Sequence, residues 1–273
     1  MKVIDWRFRP PFESYLGGPM YPNGCDATMD DVIKQMDEAN ILLGICPFRK
    51  GMDNADCLKI DAQYPERFKT LIHIDPWDGA EGLKDIDKYV VNGPAAGVIV
   101  EPSQKHIRQP MTADDKMMYP IYEKCEKENI LLTITFGGMM TRDPGFYMPS
   151  YIARVCDDFP KLKIVASHGG FPWAAGICHV AYNHEFLYLA PGVYMSKNQP
   201  CLNDYIAAAT GWLQDKFIFQ SAYSFGSKLA GDLKSRVQEY MDFLPEEVAE
   251  KVLYRNAAGL LGIEPMVKFN PIG

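Results

Sequence analysis

Short apolar runs with strand character alternate with amphipathic helical runs almost from end to end, and this alternation constrains the fold more than any other feature. Eight runs read as strands: Lys2 to Phe8, Leu42 to Pro47, Phe68 to Ile74, Ala95 to Val100, Leu131 to Phe136, Lys163 to Ser167, Gly192 to Ser196 and Lys216 to Ser221. Helical candidates lie between them at Asp30 to Ala39, Asn54 to Tyr64, Gly82 to Val91, Asp115 to Glu128, Pro149 to Phe159 and Leu202 to Leu213. Thr28 is placed to cap the first of these through its hydroxyl. After the eighth run, Leu244-Pro245-Glu246-Glu247 reads as a helix start, and a last helical run spans Asn256 to Leu261. Strand then helix, repeated eight times, predicts an α/β fold of the (β/α)8 TIM barrel type, for which about 250 residues is the usual size. The chain's 273 residues supply one such domain over 1–273 with C-terminal helices. A doubly wound sheet is the alternative.

Charge and cysteine content remove several function classes. A formal net charge of -7 argues against nucleic acid as a partner, because phosphate binding needs clustered Lys and Arg. No run is long enough to span a bilayer, and Met1-Lys2 leads straight into a strand bearing Asp5 and Arg7, so neither a membrane nor a signal segment is expected. Seven cysteines without a C-x-x-C pair suggest reduced thiols and a cytoplasmic location. The sequence leaves room for a homo-oligomer.

The first strand, Val3-Ile4-Asp5-Trp6-Arg7-Phe8-Arg9-Pro10, is chemically unusual. Period-two alternation puts Asp5, Arg7 and Arg9 on one face, the two guanidinium groups roughly 7 Å apart, with Trp6 and Phe8 on the other. Pro10-Pro11 ends the strand, so the arginines are expected where an anion can reach them. The following Gly- and Pro-rich loop, Pro10 to Asn23, is long enough to cover a barrel mouth.

Barrel enzymes work at the carboxyl ends of their strands. Reading the polar residues there gives Arg7 and Arg9, Arg49, His73 with Asp75, Glu101, Thr135, His168, Ser196 with Lys197, and Ser221 with Tyr223 and Ser224. His168 ends an apolar run and precedes Gly169-Gly170, where small residues allow a tight turn; its imidazole can carry a proton near neutral pH. A buried, backbone-bonded histidine is the plainer reading. Arg7 and Arg9 either hold an anion or pair internally with Asp5, Asp75 or Glu101. Glu101 reads as an arginine counter-ion before a base, Ser221 and Tyr223 as hydroxyls satisfying backbone groups before oxyanion donors, and His73 with Asp75-Pro76 as a turn start before a proton relay.

Four pieces together resemble one family: Ile4-Asp5, Ser167-His168-Gly169-Gly170-Phe171-Pro172-Trp173, Phe219-Gln220-Ser221-Ala222-Tyr223 and Leu253-Tyr254-Arg255-Asn256-Ala257. They are similar to the amidohydrolase-related (amidohydrolase-2) family of the amidohydrolase superfamily, which implies a barrel with a mononuclear metal site. Members resembling this chain usually begin D-x-H-x-H, and here those histidine positions hold Arg7 and Arg9. A fifth-strand histidine corresponds to Thr135, and the aspartate of the usual G-S-D-Y-P piece to Ala222. Only His168 of that set is retained, so the resemblance implies a divergent member lacking most metal ligands and needing no cofactor. Metal-free lactonases and decarboxylases of aromatic or muconate-type acids occur in the family, and both handle carboxylate-bearing substrates.

The leading expectation is therefore a metal-independent, lactonase-like hydrolase of a small carboxylate-bearing substrate. Arg7 and Arg9 bind the anion or oxyanion, His168 is the general acid or base, and Arg49, His73, Glu101, Thr135, Ser221 and Tyr223 are candidate substrate contacts. The alternatives are a decarboxylase-type lyase and a non-catalytic ligand-binding barrel. A metal held by other residues would have His168, Glu101 and His73 as donors.

Overall fold

The computed structural model describes residues 1–10, 28–47, 53–104, 109–139, 141, 143–223 and 232–266. Seven parallel strands pair in sequence order: β1 (Val3–Asp5), β2 (Ile41–Pro47), β3 (Phe68–His73), β4 (Gly97–Val100), β5 (Leu132–Thr135), β6 (Ile164–Ser167) and β7 (Leu187–Ala190). The eighth segment forms only a bridge, Leu189 with Phe217, yet it is bonded on both sides. Leu189 N donates to the Lys216 carbonyl at 2.8 Å, Ile218 N to that of Leu189 at 2.9 Å, and Trp6 N to that of Phe219 at 3.0 Å. Residues 216–221 thus join β7 to β1 and close the sheet into an α/β TIM barrel.

Helices α1 (Met29–Glu38), α2 (Asn54–Gln63), α3 (Ala80–Ile86), α4 (Tyr119–Lys127), α5 (Pro149–Asp158), α6 (Ala174–Asn183) and α7 (Leu202–Thr210) lie between the strands, and α8 (Leu233–Phe243), α9 (Glu246–Glu250) and α10 (Asn256–Leu260) follow the eighth segment. Thr28 caps α1 as expected: it accepts from Asp31 N while the Asp31 carboxylate accepts from Thr28 N, a capping box. The expectation of a strand over Gly192 to Ser196 is corrected. β7 lies five residues earlier, and Gly192–Tyr194 is a single 3-10 turn after Pro191, with Gly192 at φ +62°.

Alternation along the strands builds two apolar layers. Ile4, Leu43, Ile45, Leu71, Ile99, Val165 and Ile218 fill one cluster with Trp6, while Val3, Phe8, Ile41, Phe68, Val98, Leu132 and Ile164 join the helices in the other. The Trp6 indole N–H donates to Thr133 Oγ1 at 3.1 Å. Since β1 and β5 are not neighbours in the sheet, that bond crosses the barrel interior and identifies the first cluster as its filling. Six of the seven cysteines are buried and unpaired; Cys25 lies outside the described residues. Among the described residues no helix is long and apolar enough to cross a membrane.

Candidate active site

The strand register aligns the carboxyl ends: His73 pairs with Ile99, Thr135 with Ser167, and Ser167 with Ala190. His168, directly after β6, is held on two sides. Its backbone N–H donates to Ala190 O at 2.8 Å, and its Nδ1 lies 3.0 Å from the carbonyl of Gly137. A carbonyl only accepts, so Nδ1 carries the hydrogen and Nε2 is the basic nitrogen. His168 sits at φ +75°, a conformation costly for a side-chain-bearing residue and frequent at functional sites. Gly138, at φ +101°, lets this packing exist: a Cβ there would come within 2.9 Å of Nδ1 and 2.8 Å of Tyr194 Oη.

Around His168 lies a buried polar network. Arg7 Nη1 donates to Ser167 Oγ at 2.9 Å, and Ser167 Oγ donates to Gln220 Oε1 at 2.8 Å. Arg7 Nη2 stands 3.8 Å from Glu101 Oε1, which also accepts from Thr135 Oγ1 at 3.4 Å. Arg7, Arg9, Glu101, Thr135, Ser167, His168 and Gln220 are all buried. Burial, and next the positive charge of Arg7, hold the His168 imidazole well below its usual proton affinity, with Arg9 adding to the effect and Glu101 opposing it. Both effects favour the neutral imidazole.

The opening strand departs from simple alternation. β1 ends at Asp5, whose carboxylate accepts from Arg7 N at 3.1 Å and turns the chain there. Trp6 and Arg7 then both reach inward, to Thr133 on β5 and Ser167 on β6, instead of pointing to opposite faces. Asp5 also accepts from Ser221 N at 2.9 Å and from the Ser221 hydroxyl, so it fastens the eighth segment to β1.

The remaining candidates divide. Glu101 and Thr135 join the Arg7 network, Glu101 as its counter-ion. Ser221 is engaged by Asp5 and accepts from Tyr223 N, while the Tyr223 ring stacks on Phe8 with centroids 4.8 Å apart and its hydroxyl donates to Gln35. The His73 backbone is clamped by the Asn54 carboxamide, and Asp75 caps the turn Pro76–Asp78. Arg49 and the loop 11–27 lie outside the described residues. Gln220 and Ser167 were not among the expected site residues. Their signal is positional: both stand two residues after inward-facing apolar residues, Ile218 and Val165.

A metal does not suit this donor set. Among the described residues no three His, Cys, Asp or Glu side chains come together in a way that could hold an ion. His168 and Glu101 supply two donors where a catalytic site commonly uses three, and the Arg7 guanidinium stands beside them.

The family model Amidohydro_2, described as amidohydrolase, matches residues 26–263. No curated protein matches the chain in sequence. An uncharacterised TIM-barrel protein from Bordetella bronchiseptica has a similar structure, with 28% identity, a TM-score of 0.85, and coverage of 96% of this chain and 99% of that one. A probable 2-pyrone-4,6-dicarboxylic acid hydrolase from Acinetobacter baumannii, with citric acid bound, is 16% identical with a TM-score of 0.66, covering 96% and 100%. A 2,6-dihydroxybenzoate decarboxylase from Rhizobium is 14% identical with a TM-score of 0.63, covering 96% and 99%. The chain belongs to the amidohydrolase family Amidohydro_2.

Proposed function

We propose that the protein is a lactonase-like hydrolase of a small, carboxylate-bearing cyclic ester, working through fixed charges and one neutral histidine without a metal. The observation that carries this reading is His168 at the strand ends, buried, with Nδ1 held by the Gly137 carbonyl and the Arg7 guanidinium bonded to its neighbour Ser167. Arg7 and Arg9 supply the positive field for the substrate carboxylate and for the oxyanion that forms at the ester carbonyl. His168 Nε2 takes a proton from water as the water oxygen bonds to that carbonyl carbon. The imidazolium then returns the proton to the departing ring oxygen as the carbon–oxygen bond breaks, leaving an open-chain acid. Nδ1–H stays on Gly137 O throughout and fixes the tautomer.

The neutral state of His168 favours this role over a lyase, where imidazolium would be needed at the outset to protonate a carbanion. Membership of the amidohydrolase family and the likeness to a probable pyrone-dicarboxylate hydrolase and to a dihydroxybenzoate decarboxylase support a small carboxylate-bearing substrate under either reaction. The test is a panel of pyrone and aromatic carboxylates assayed for ring opening and for carbon dioxide release. Ring opening that falls at least a hundredfold in both Arg7→Ala and His168→Ala is expected. Carbon dioxide release would establish the lyase instead, and ligand binding without turnover the non-catalytic barrel.

A further inference from the structure

Gln220 is fully buried on the eighth segment, and its two amide ends are treated differently. Ser167 Oγ accepts from Arg7 Nη1, so the single hydroxyl hydrogen of Ser167 is directed to Gln220 Oε1. That relay turns Nε2 outward from the Ser167 side, and Nε2 has no hydrogen-bond partner among the described residues. Gly192, at φ +62°, packs against the same atom: a Cβ there would lie 2.7 Å from Nε2, so the lack of a side chain at 192 keeps room for the amide. A buried NH2 group with both hydrogens unsatisfied is costly, and folded proteins rarely retain one unless another acceptor uses it.

We infer that the Gln220 carboxamide is a substrate-binding donor, presenting its N–H groups to an oxygen of the bound carboxylate alongside Arg7. The Arg7–Ser167–Gln220 relay sets its orientation, so Ser167 is a positioning residue. A donor pair flanking a guanidinium recognises an acid with a second acceptor oxygen near its carboxylate, such as a dicarboxylate or a hydroxy or oxo acid, in preference to a simple monocarboxylate. The inference rests on the proposed carboxylate-binding reading of this site.

The test is calorimetric titration of the full-length protein with citrate and 2,6-dihydroxybenzoate, and with benzoate as the simple acid. Gln220→Met keeps the length and removes the donor; affinity for the first two acids is expected to fall about tenfold to a hundredfold, and for benzoate far less. Gln220→Glu, an isostere that accepts and adds negative charge, is expected to lose more. The apo melting temperature of Gln220→Met is expected to stay close to that of the wild type, since the substitution removes an unsatisfied buried donor and also takes away the acceptor of the Ser167 hydroxyl, two effects of opposite sign. Unchanged affinity in Gln220→Met while Arg7→Ala abolishes binding would overturn the role of Gln220 alone. No binding by the wild type, or no effect of Arg7→Ala, would overturn the carboxylate-site reading beneath it. A lowered apo melting temperature with equal losses for all three acids would make Gln220 a structural residue.

Discussion

Two buried cations stand at opposite ends of the barrel, and they are held in different ways. Lys216, at the amino end of the eighth segment, is 0% exposed; its Nζ donates to the carbonyls of His184 and Glu185, just past α6, and lies over the Tyr188 ring. Burial lowers its pKa to about 8. Arg7, at the carboxyl ends, is 2% exposed and meets side chains instead: the Ser167 hydroxyl, the Glu101 carboxylate and, through Ser167, the Gln220 amide. Backbone carbonyls past a helix end make Lys216 a clasp between α6 and the sheet. A side-chain network next to His168 holds Arg7 instead, and under the proposed function its charge faces the substrate anion.

Substitution should separate the two cations. The largest expected effect is at Arg7: Arg7→Met should lower turnover by several hundredfold and also destabilise the fold by about 3 kcal/mol, because Glu101 is left buried without this charge partner. Adding Glu101→Gln should recover most of the stability, read by urea unfolding, and none of the turnover. Lys216→Met should leave turnover within about twofold, since a structural clasp touches no substrate.

The pH dependences sharpen the contrast. Lys216 binds its proton less tightly when folded than when unfolded, so unfolding takes up a proton between about pH 8 and the ordinary 10.5. Wild-type stability should therefore rise with pH across that window relative to Lys216→Met, by on the order of 3 kcal/mol. His168 is also held below its ordinary value, so as pH falls below 6.5 unfolding takes up a proton and stability declines relative to His168→Gln. The acid limb of kcat/KM should lie below pH 6.5 for the same reason, since the proposed hydrolysis needs neutral imidazole. A smaller effect than at Arg7 is expected from Ser167→Ala, which breaks the relay to Gln220 and should raise KM about tenfold while leaving that acid limb in place.

The barrel was legible because strand runs such as Ile164-Val165-Ala166 and capped helices such as the one after Thr28 carry their signals locally. β7 was misplaced because Val193-Tyr194-Met195 has strand composition, whereas Pro191 and the positive φ of Gly192 end the strand before it. The family was legible from the H-G-G-F-P-W piece, and so was the place of His168 directly after a strand. The inward turn of Arg7 was not, because it depends on the Asp5 carboxylate accepting the Arg7 N–H, which breaks the period of two. Asp5 itself reads in the sequence as a partner for arginine side chains, and it instead binds Ser221, 216 residues away. Gln220 carries no catalytic signature of its own; its importance comes from the hydroxyl that reaches it from β6.

The most direct test of the central claim is the rate of cyclic-ester opening by chelator-treated protein, with 2-pyrone-4,6-dicarboxylate as the first substrate. If fixed arginines and a neutral His168 carry the chemistry, the metal-stripped protein keeps its full rate and Arg7→Ala loses it at least a hundredfold. A rate that disappears on stripping and returns with zinc or manganese, or one that Arg7→Ala leaves intact, would contradict the account.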